Sequence, residues 1–437
     1  MIELLAIIVS IAALLLLIAA RVPVAAALLL VGIGGISYIQ TFDRAMVTLT
    51  NVPYAFATSW TLSALPMYLI MGHLAHKSGM AEKIYDFARL ALHRIPGSLA
   101  VTSIFACAGF GAISGSAAAT TATFSKLAIP EMLRDKYDKS LAAGSVAASG
   151  TMGSLMPPSV LMIVYAGLAE ISAGRCFIAG IIPCLLSAAI YAAMVILRVK
   201  RNPALAPIPT LAINVTGTML WQTFWRMWDV LLLIVIIFGG IYSGFVTATE
   251  AGALGAFASL IIGVATHRVN LKQVVESIYE GVKSTCLILM IGVGANIFVR
   301  FLAFAGIHDY LADTLAHFSP LAFLSLMFFV YILLGMFLDP IGMMLLTVPV
   351  LTPVLDDIGI DLVWYCILVI KCTELGNITP PVGLTVYIVK GVVGESISVE
   401  KIFKGIGWFA CMDVLTFWIL ALFPWLSLVL PRLILGS

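Results

Sequence analysis

Apolar runs of about 18 or more residues recur along this 437-residue chain, and each is long enough to cross the hydrocarbon core of a bilayer. Residues 2–20, 22–40, 229–246, 251–266 and 405–430 are the plainest. In lipid every backbone N–H and C=O must find a partner inside the protein, so only helix bundles and closed barrels span a membrane. Runs of this length select helices. Hydrophobic residues make up 62% of the chain and charged residues 11%, against roughly 45–50% and about 25% in soluble chains. So few charges could not cover a water-exposed surface, and the chain is expected to be one all-α polytopic membrane unit. The first run lacks a basic flank and the next follows almost at once, which predicts a retained helix and not a cleaved signal.

Several function classes fall away. The net charge of +2 comes with no basic stripe, so no nucleic-acid partner is expected. The seven cysteines (Cys107, Cys176, Cys184, Cys286, Cys366, Cys372, Cys411) form no C-x-x-C and read as small packing residues. The six histidines show no metal-ligand spacing. There is neither H-E-x-x-H nor an intramembrane Ser/His pair, so the chain does not read as an enzyme.

Pro-Pro within apolar surroundings is rare, and it occurs twice, at Pro157-Pro158 and Pro380-Pro381, 223 residues apart. Other features keep nearly that offset: Ile171-Ser172 and Phe177 match Ile397-Ser398 and Phe403, and Gly79 matches Gly306. The chain therefore divides into a first repeat (1–197), a linker (198–227) and a second repeat (228–437). Each begins with two plain spans and a third at about 58–76 or 282–304. An amphipathic segment follows. Met80, Ile84, Phe87 and Ala91 share one helical face, as do Ile307, Tyr310, Leu311, Thr314 and Phe318, which suits an interfacial helix or a polar loop with helical propensity. Residues 98–129 and 320–355 are apolar but interrupted at Ser114-Gly115-Ser116 and Asp339-Pro340-Ile341-Gly342. The pieces are too short to span comfortably, so re-entrant helical hairpins are expected. Helices broken at Pro-Pro come next (140–168 and 361–391), then closing spans (177–197 and 405–430).

Five crossings per repeat would make the second inverted relative to the first. Placing the linker in the cytoplasm puts most Lys and Arg there, including Arg21, Lys83, Arg134, Arg198, Arg201, Arg268 and Lys401. The other side receives Asp309, Asp313, Asp356, Asp357 and Asp361. This is the positive-inside pattern. Hairpin one would then enter from the cytoplasm, hairpin two from outside, and both termini would lie outside.

Irregular backbone survives at membrane depth only where it lines a cavity or binds something. Inverted repeats with discontinuous helices are the architecture of secondary transporters, whose freed carbonyls and half-helix ends hold ions. The oxygen-rich residues at the breaks suit Na⁺. They are Ser114, Gly115, Ser116 and Thr120 with Ser149, Gly150, Thr151, Gly153 and Ser154 before Pro157, and Asp339 and Gly342 with Thr373, Gly376, Asn377 and Thr379 before Pro380. Glycines allow close approach and the prolines remove N–H donors. Small residues that merely let helices pack are the alternative. Among intramembrane charges, Lys371 and Glu374 are spaced to pair on one face, as a structural pair or a substrate contact. Asp339 suits a cation or proton role, or a helix cap. Arg300 near a span's end can snorkel, and His73 reads as structural. Glu250 reads as a first-turn residue with Thr249 as its N-cap.

At these residues the chain resembles the large membrane subunit of tripartite ATP-independent periplasmic (TRAP) transporters. The resemblance rests on Phe110–Thr120, Ile129–Met132, Gly150–Ser159, Thr247–Ala251, Gly335–Pro340 and Glu374–Gly383, in family order. It implies an elevator-type ion-transporter fold and Na⁺-coupled uptake of an organic anion, usually a carboxylate such as a C4-dicarboxylate or sugar acid. It implies a small TRAP membrane subunit and a periplasmic substrate-binding protein as partners, in a bacterial or archaeal inner membrane. Two Na⁺ sites would fall at the tips and breaks named above, with substrate between them near Ser116, Thr120, Pro157, Asn377 and Pro380. Ala117 stands where the family often has a second Ser, which puts a side-chain ligand there in doubt, and Ala248 stands where it often has Pro. A self-sufficient Na⁺- or H⁺-coupled carboxylate carrier of related architecture is the alternative.

Overall fold

The computed structural model describes residues 2–207, 215–307, 310 and 318–435. Among them every regular element is a helix. The chain opens with α1 (Ile2–Ala19), α2 (Val24–Ile39) and α3 (Phe42–Ala57), the last of which had no sequence expectation. The sequence of α3 is interrupted by Asp43, Arg44, Thr48, Thr50, Asn51 and Pro53, so it shows no long apolar run. The third expected span becomes helical only at α4 (Ala64–Lys77), after a 3₁₀ turn at Thr61–Ser63. The span expected at 282–304, by contrast, belongs to one continuous 34-residue helix, α14 (Leu271–Phe304), starting well before residue 282. It packs along α2, α3 and α4. Small residues permit this: a Cβ on Gly294 would press on the Ala25 carbonyl, and one on Gly32 would lie 2.9 Å from the Phe298 nitrogen.

The amphipathic α5 (Met80–Ala91) starts at left-handed Gly79 and buries Met80, Ala81, Ile84, Tyr85 and Ala88. Ala91, expected on that face, is exposed. Of the amphipathic segment expected to match α5 after Gly306, residues 308–309 and 311–317 lie outside the described residues. The linker is partly ordered as helix: α10 (Ala173–Arg201) continues into it, and α11 (Gly217–Arg226) precedes α12 (Trp228–Tyr242). At α13 (Ala248–Ala265) the N-cap is Thr247 and not Thr249. Thr247 and Glu250 form a reciprocal capping box, which satisfies two otherwise orphaned donors.

Both expected hairpins break where small or capping residues stand. α6 (Ser98–Ser114) and α7 (Ala117–Arg134) are joined by Gly115 and Ser116 alone. α15 (Pro320–Gly335) and α16 (Pro340–Asp357) are joined by 336–339, so the second break ends at Asp339 and does not extend to Gly342, which lies inside α16. α16 has 18 residues and is apolar enough to cross a bilayer by length and composition, contrary to the expectation of two short pieces. Both Pro-Pro helices are broken as expected. α8 (Lys139–Leu155) and α9 (Val160–Leu168) meet at a 44° bend, and α17 (Leu362–Ile378) and α18 (Leu384–Val393) flank residues 379–383. Pro157-Pro158 and Pro380-Pro381 are cis. The second closing span is not continuous: α19 (Val399–Leu422) ends before Pro424, and α20 (Trp425–Leu435) follows.

α8 and α17 form the centre. Every residue from Leu141 to Leu155, and from Val363 to Ile378, is buried. Neither helix has a polar face, as expected of helices surrounded by protein. α8 packs on α6, α7 and α19; α17 packs on α15, α10 and α19. Five cysteines are buried among these elements, whereas Cys286 and Cys411, expected to pack, are exposed on the chain's own surface.

Candidate functional site

The first site grows from a turn that only glycine makes easily. Gly115 ends α6 at φ +60°, a left-handed conformation that disfavours a Cβ. A Cβ there would also stand 2.6 Å from the Pro158 carbonyl oxygen. The Gly115 carbonyl accepts from the Val160 N–H (3.2 Å), which ties the hairpin tip to the restart of the broken helix. Ser116 is extended and caps α7 by accepting from Ala119 N–H at 3.4 Å. The Ser114 and Thr120 hydroxyls share a hydrogen bond of 2.8 Å, both buried. A Cβ on Gly153 would lie 2.5 Å from Thr120 Oγ1 and 2.8 Å from the Ser116 carbonyl. Hairpin tip and helix break are therefore one contact region.

Hydroxyls bond to backbone carbonyls along the last turns of α8 and across its break. Thr151 donates to the Ala148 carbonyl and Ser154 to the Thr151 carbonyl, each at 2.7 Å. Ser159 donates to the Ser154 carbonyl across the break and accepts from Met162 N–H to cap α9. Ser149 bonds back to Ser145 within α8, away from the tip.

The second site repeats the plan. Asp339 caps α16, accepting from the N–H groups of Ile341 and Gly342 at 3.2 Å each. Thr373 donates to the Ile370 carbonyl at 2.7 Å. Thr379 donates to the Leu375 carbonyl, and its N–H to that of Gly376. Thr385 of α18 donates to the Asn377 carbonyl at 3.2 Å. Asn377 is 4% exposed, and its carboxamide makes no hydrogen bond to another described residue.

Sequence reasoning missed part of the arrangement. Gly111 meets Gly153 in the first half and Gly335 meets Gly376 in the second, so each hairpin crosses its broken helix on a glycine pair just before Pro-Pro. The caps Ser116 and Asp339 stand 223 apart, as do Gly153 and Gly376 and the Pro-Pro pairs. Pairing Ser116 with Asp339 at the Pro-Pro offset would have found this. Lys371 and Glu374 do pair, at 2.9 Å, but Asp413 of α19 joins them at 2.5 Å. A carboxylate within the apolar run 405–430 was the available signal. Arg300 is exposed near the end of α14.

Residues 11–426 match the family described as the tripartite ATP-independent periplasmic transporter, DctM component. This chain belongs to that family. As a TRAP large permease subunit it is a multi-pass membrane transporter and not an enzyme. It is 34% identical over 385 residues to a C4-dicarboxylate TRAP transporter large permease of Pseudomonas aeruginosa, covering 86% of this chain and 88% of that one. The large permease of a sialic acid TRAP transporter from Vibrio cholerae is 32% identical over 381 residues, with the same coverage. An isethionate TRAP permease, DctMQ, of Oleidesulfovibrio alaskensis is 28% identical over 351 residues, 80% of this chain and 55% of that protein. The fold of this TRAP permease is shared with the YdaH transporter of Alcanivorax borkumensis (TM-score 0.63, 15% identity, 90% of each chain). It is shared also with Neisseria gonorrhoeae MtrF (TM-score 0.60, 16% identity, 88% of this chain and 85% of that one).

Proposed function

We propose that this permease imports an organic acid anion against its gradient by coupling entry to Na⁺. The observation that carries the proposal is the duplicated constellation of cap, glycine crossing and Pro-Pro break, repeated at an offset of 223 residues. Two such sites of opposite orientation would form if the repeats are inverted, as the charge bias between loops supports. Both termini would then lie on the periplasmic side of a bacterial or archaeal inner membrane.

Ser114, Gly115, Ser116, Thr151, Gly153 and Ser154 would hold one Na⁺, and Asp339, Gly342, Thr373, Gly376, Asn377 and Thr379 the other. Hydroxyl, carbonyl, carboxamide and carboxylate oxygens are hard donors that suit such a cation. Substrate would sit between them, near Ser116, Thr120, Pro157, Asn377 and Pro380, where bound Na⁺ offsets its negative charge. The relatives named for C4-dicarboxylate, sialic acid and isethionate support an anion of carboxylate or sulfonate chemistry. Movement of α6–α9 and α15–α18 as a body against α2, α4, α13 and α14 would carry both across, in the elevator manner. A periplasmic binding protein would deliver substrate, and a small membrane subunit would join the scaffold.

The test is uptake into proteoliposomes holding this chain, its small subunit and its binding protein. Accumulation should follow an inward Na⁺ gradient and stop when Na⁺ is replaced by K⁺. Accumulation indifferent to Na⁺ would overturn the coupling, and uptake without the binding protein would favour a self-sufficient carrier.

A further inference from the structure

A cavity of about 1000 Å³ opens where α5, the helices α11 and α12, and the end of α13 meet. Trp228 at the start of α12 and Thr266 just after α13 line it together, so these neighbouring helices run antiparallel away from one mouth. α13 is long and apolar enough to cross a bilayer, and α11 turns 56° away from α12. The cavity therefore lies at the level where spans end, the headgroup region of the membrane. Its lining agrees. Trp221, Trp225 and Trp228 border it and are exposed. Indole rings gather at that level because they join an apolar body to a polar N–H.

The charges in the cavity are of both signs. It is lined by Glu82, Lys83, Asp86, Arg226 and Arg268. Lys83 is already neutralised by Asp229. The other four make no ion pair among the described residues. Arg268 is held in place by a hydrogen bond from Nη1 to the Ser78 carbonyl, 3.3 Å. Two carboxylates and two guanidiniums thus share one space without pairing, and their charges cancel. Exposed apolar residues lead away from it into the bilayer. Leu232 and Val235 continue the face of Trp228 on α12, and Phe257, Ile261 and Val264 lead up to Arg268 on α13. Spacings of three and four residues put each set on one helical face.

We propose that this cavity binds the headgroup of a zwitterionic phospholipid with a primary ammonium, of the phosphatidylethanolamine kind. Arg226 and Arg268 take the phosphate, whose oxygens match the guanidinium fork. Glu82 and Asp86 accept the N–H groups of the ammonium, and an indole face favours the same cation. The acyl chains run along the apolar faces of α12 and α13. An anionic headgroup would leave both carboxylates facing a negative charge, and a choline would offer them no N–H donor. The bound lipid joins the interfacial helix α5 to the linker helix α11, which already touch through Phe87 and Phe224. The inference rests on the membrane location of the chain and not on Na⁺ coupling.

Native mass spectrometry tests it on the full chain, stripped of lipid in detergent. The chain is titrated with phosphatidylethanolamine, phosphatidylglycerol or phosphatidylcholine of identical acyl chains. Wild type should retain phosphatidylethanolamine several-fold more than either of the others. Arg226→Gln/Arg268→Gln should lose most of that binding. Glu82→Gln/Asp86→Asn should reverse the order in favour of phosphatidylglycerol, because the two guanidiniums then stand uncompensated. Lys136→Ala should keep the wild-type order. Equal retention of the three lipids by wild type, or a preference for phosphatidylglycerol, overturns the proposal. So does a wild-type order kept by both double variants, which would put the bound lipid elsewhere. Displacement of the lipid by the small membrane subunit would make the cavity a protein interface and overturn it too. The wild-type comparison decides the headgroup class even if a variant does not fold.

Discussion

Gly335 and Gly376 cross so closely that a Cβ on the first would stand 2.9 Å from the second's Cα, and one on the second 2.8 Å from the first's. Gly111 and Gly153 make the equivalent crossing, at 3.0 Å. Backbone faces backbone in both places, so no flexible side chain can give way. Gly376→Ala should therefore destabilise by about 1–3 kcal/mol, the usual cost of overpacking. Gly391→Ala, in α18 with nothing within 4 Å, should be neutral or slightly stabilising. Thermal unfolding midpoints in detergent check this, and equal midpoints for the two variants would refute the close crossing.

Gly115 combines two demands that can be separated by a control. Gly115→Ala meets the left-handed penalty of about 1–2 kcal/mol and also drives a methyl into the Pro158 carbonyl. Gly359→Ala meets a similar backbone penalty at φ +71° in open space. Both should lower stability, but only Gly115→Ala should abolish uptake in proteoliposomes. Full uptake by Gly115→Ala would detach the tip from the transport site.

Asp339 caps a helix and is proposed to hold an ion, and its two roles respond differently to substitution. Asp339→Asn keeps a cap acceptor, since Asn ranks with Asp at that position, but removes the charge. Asp339→Ala removes both, at about 1 kcal/mol of stability. Asp339→Asn should keep the wild-type unfolding midpoint while its uptake needs several-fold more Na⁺. Asn377→Ala should also shift the Na⁺ requirement, and Lys136→Ala should leave it unchanged. An identical Na⁺ dependence in all of them would dismiss the assignment.

Lys83 of α5 pairs with Asp229 of α12, whose side chain is 1% exposed. Removing the cation strands a buried carboxylate, so Lys83→Met should cost about 3–5 kcal/mol. Lys83→Met/Asp229→Asn should regain most of it, because the stranded charge is then gone as well. A double-mutant cycle on unfolding midpoints measures the coupling, and simple additivity would show that the pair contributes little.

How much was legible follows from which interactions are local. The breaks at Gly115, Pro157 and Pro380 were readable because each depends on one residue's own backbone geometry. The cap at α13 was misplaced by two residues because Thr247 and Thr249 are equally good chemically, and only the chain path chose between them. α3 was invisible because its sequence, interrupted by polar residues from Asp43 to Asn51, lacks the apolar run that marks a span. Asp413 was passed over because its partner stands 42 residues away on another helix.

The sequence by itself determined the helical class and the breaks at Gly115, Pro157 and Pro380. Hydropathy, proline and glycine act within a few residues, so these properties are written locally. Only the tertiary structure decided that Gly111 crosses Gly153 as Gly335 crosses Gly376, that Val160 ties down Gly115, and that Asp413 turns a pair into an odd-charged cluster. Those contacts join segments distant along the chain, and packing in three dimensions selects them.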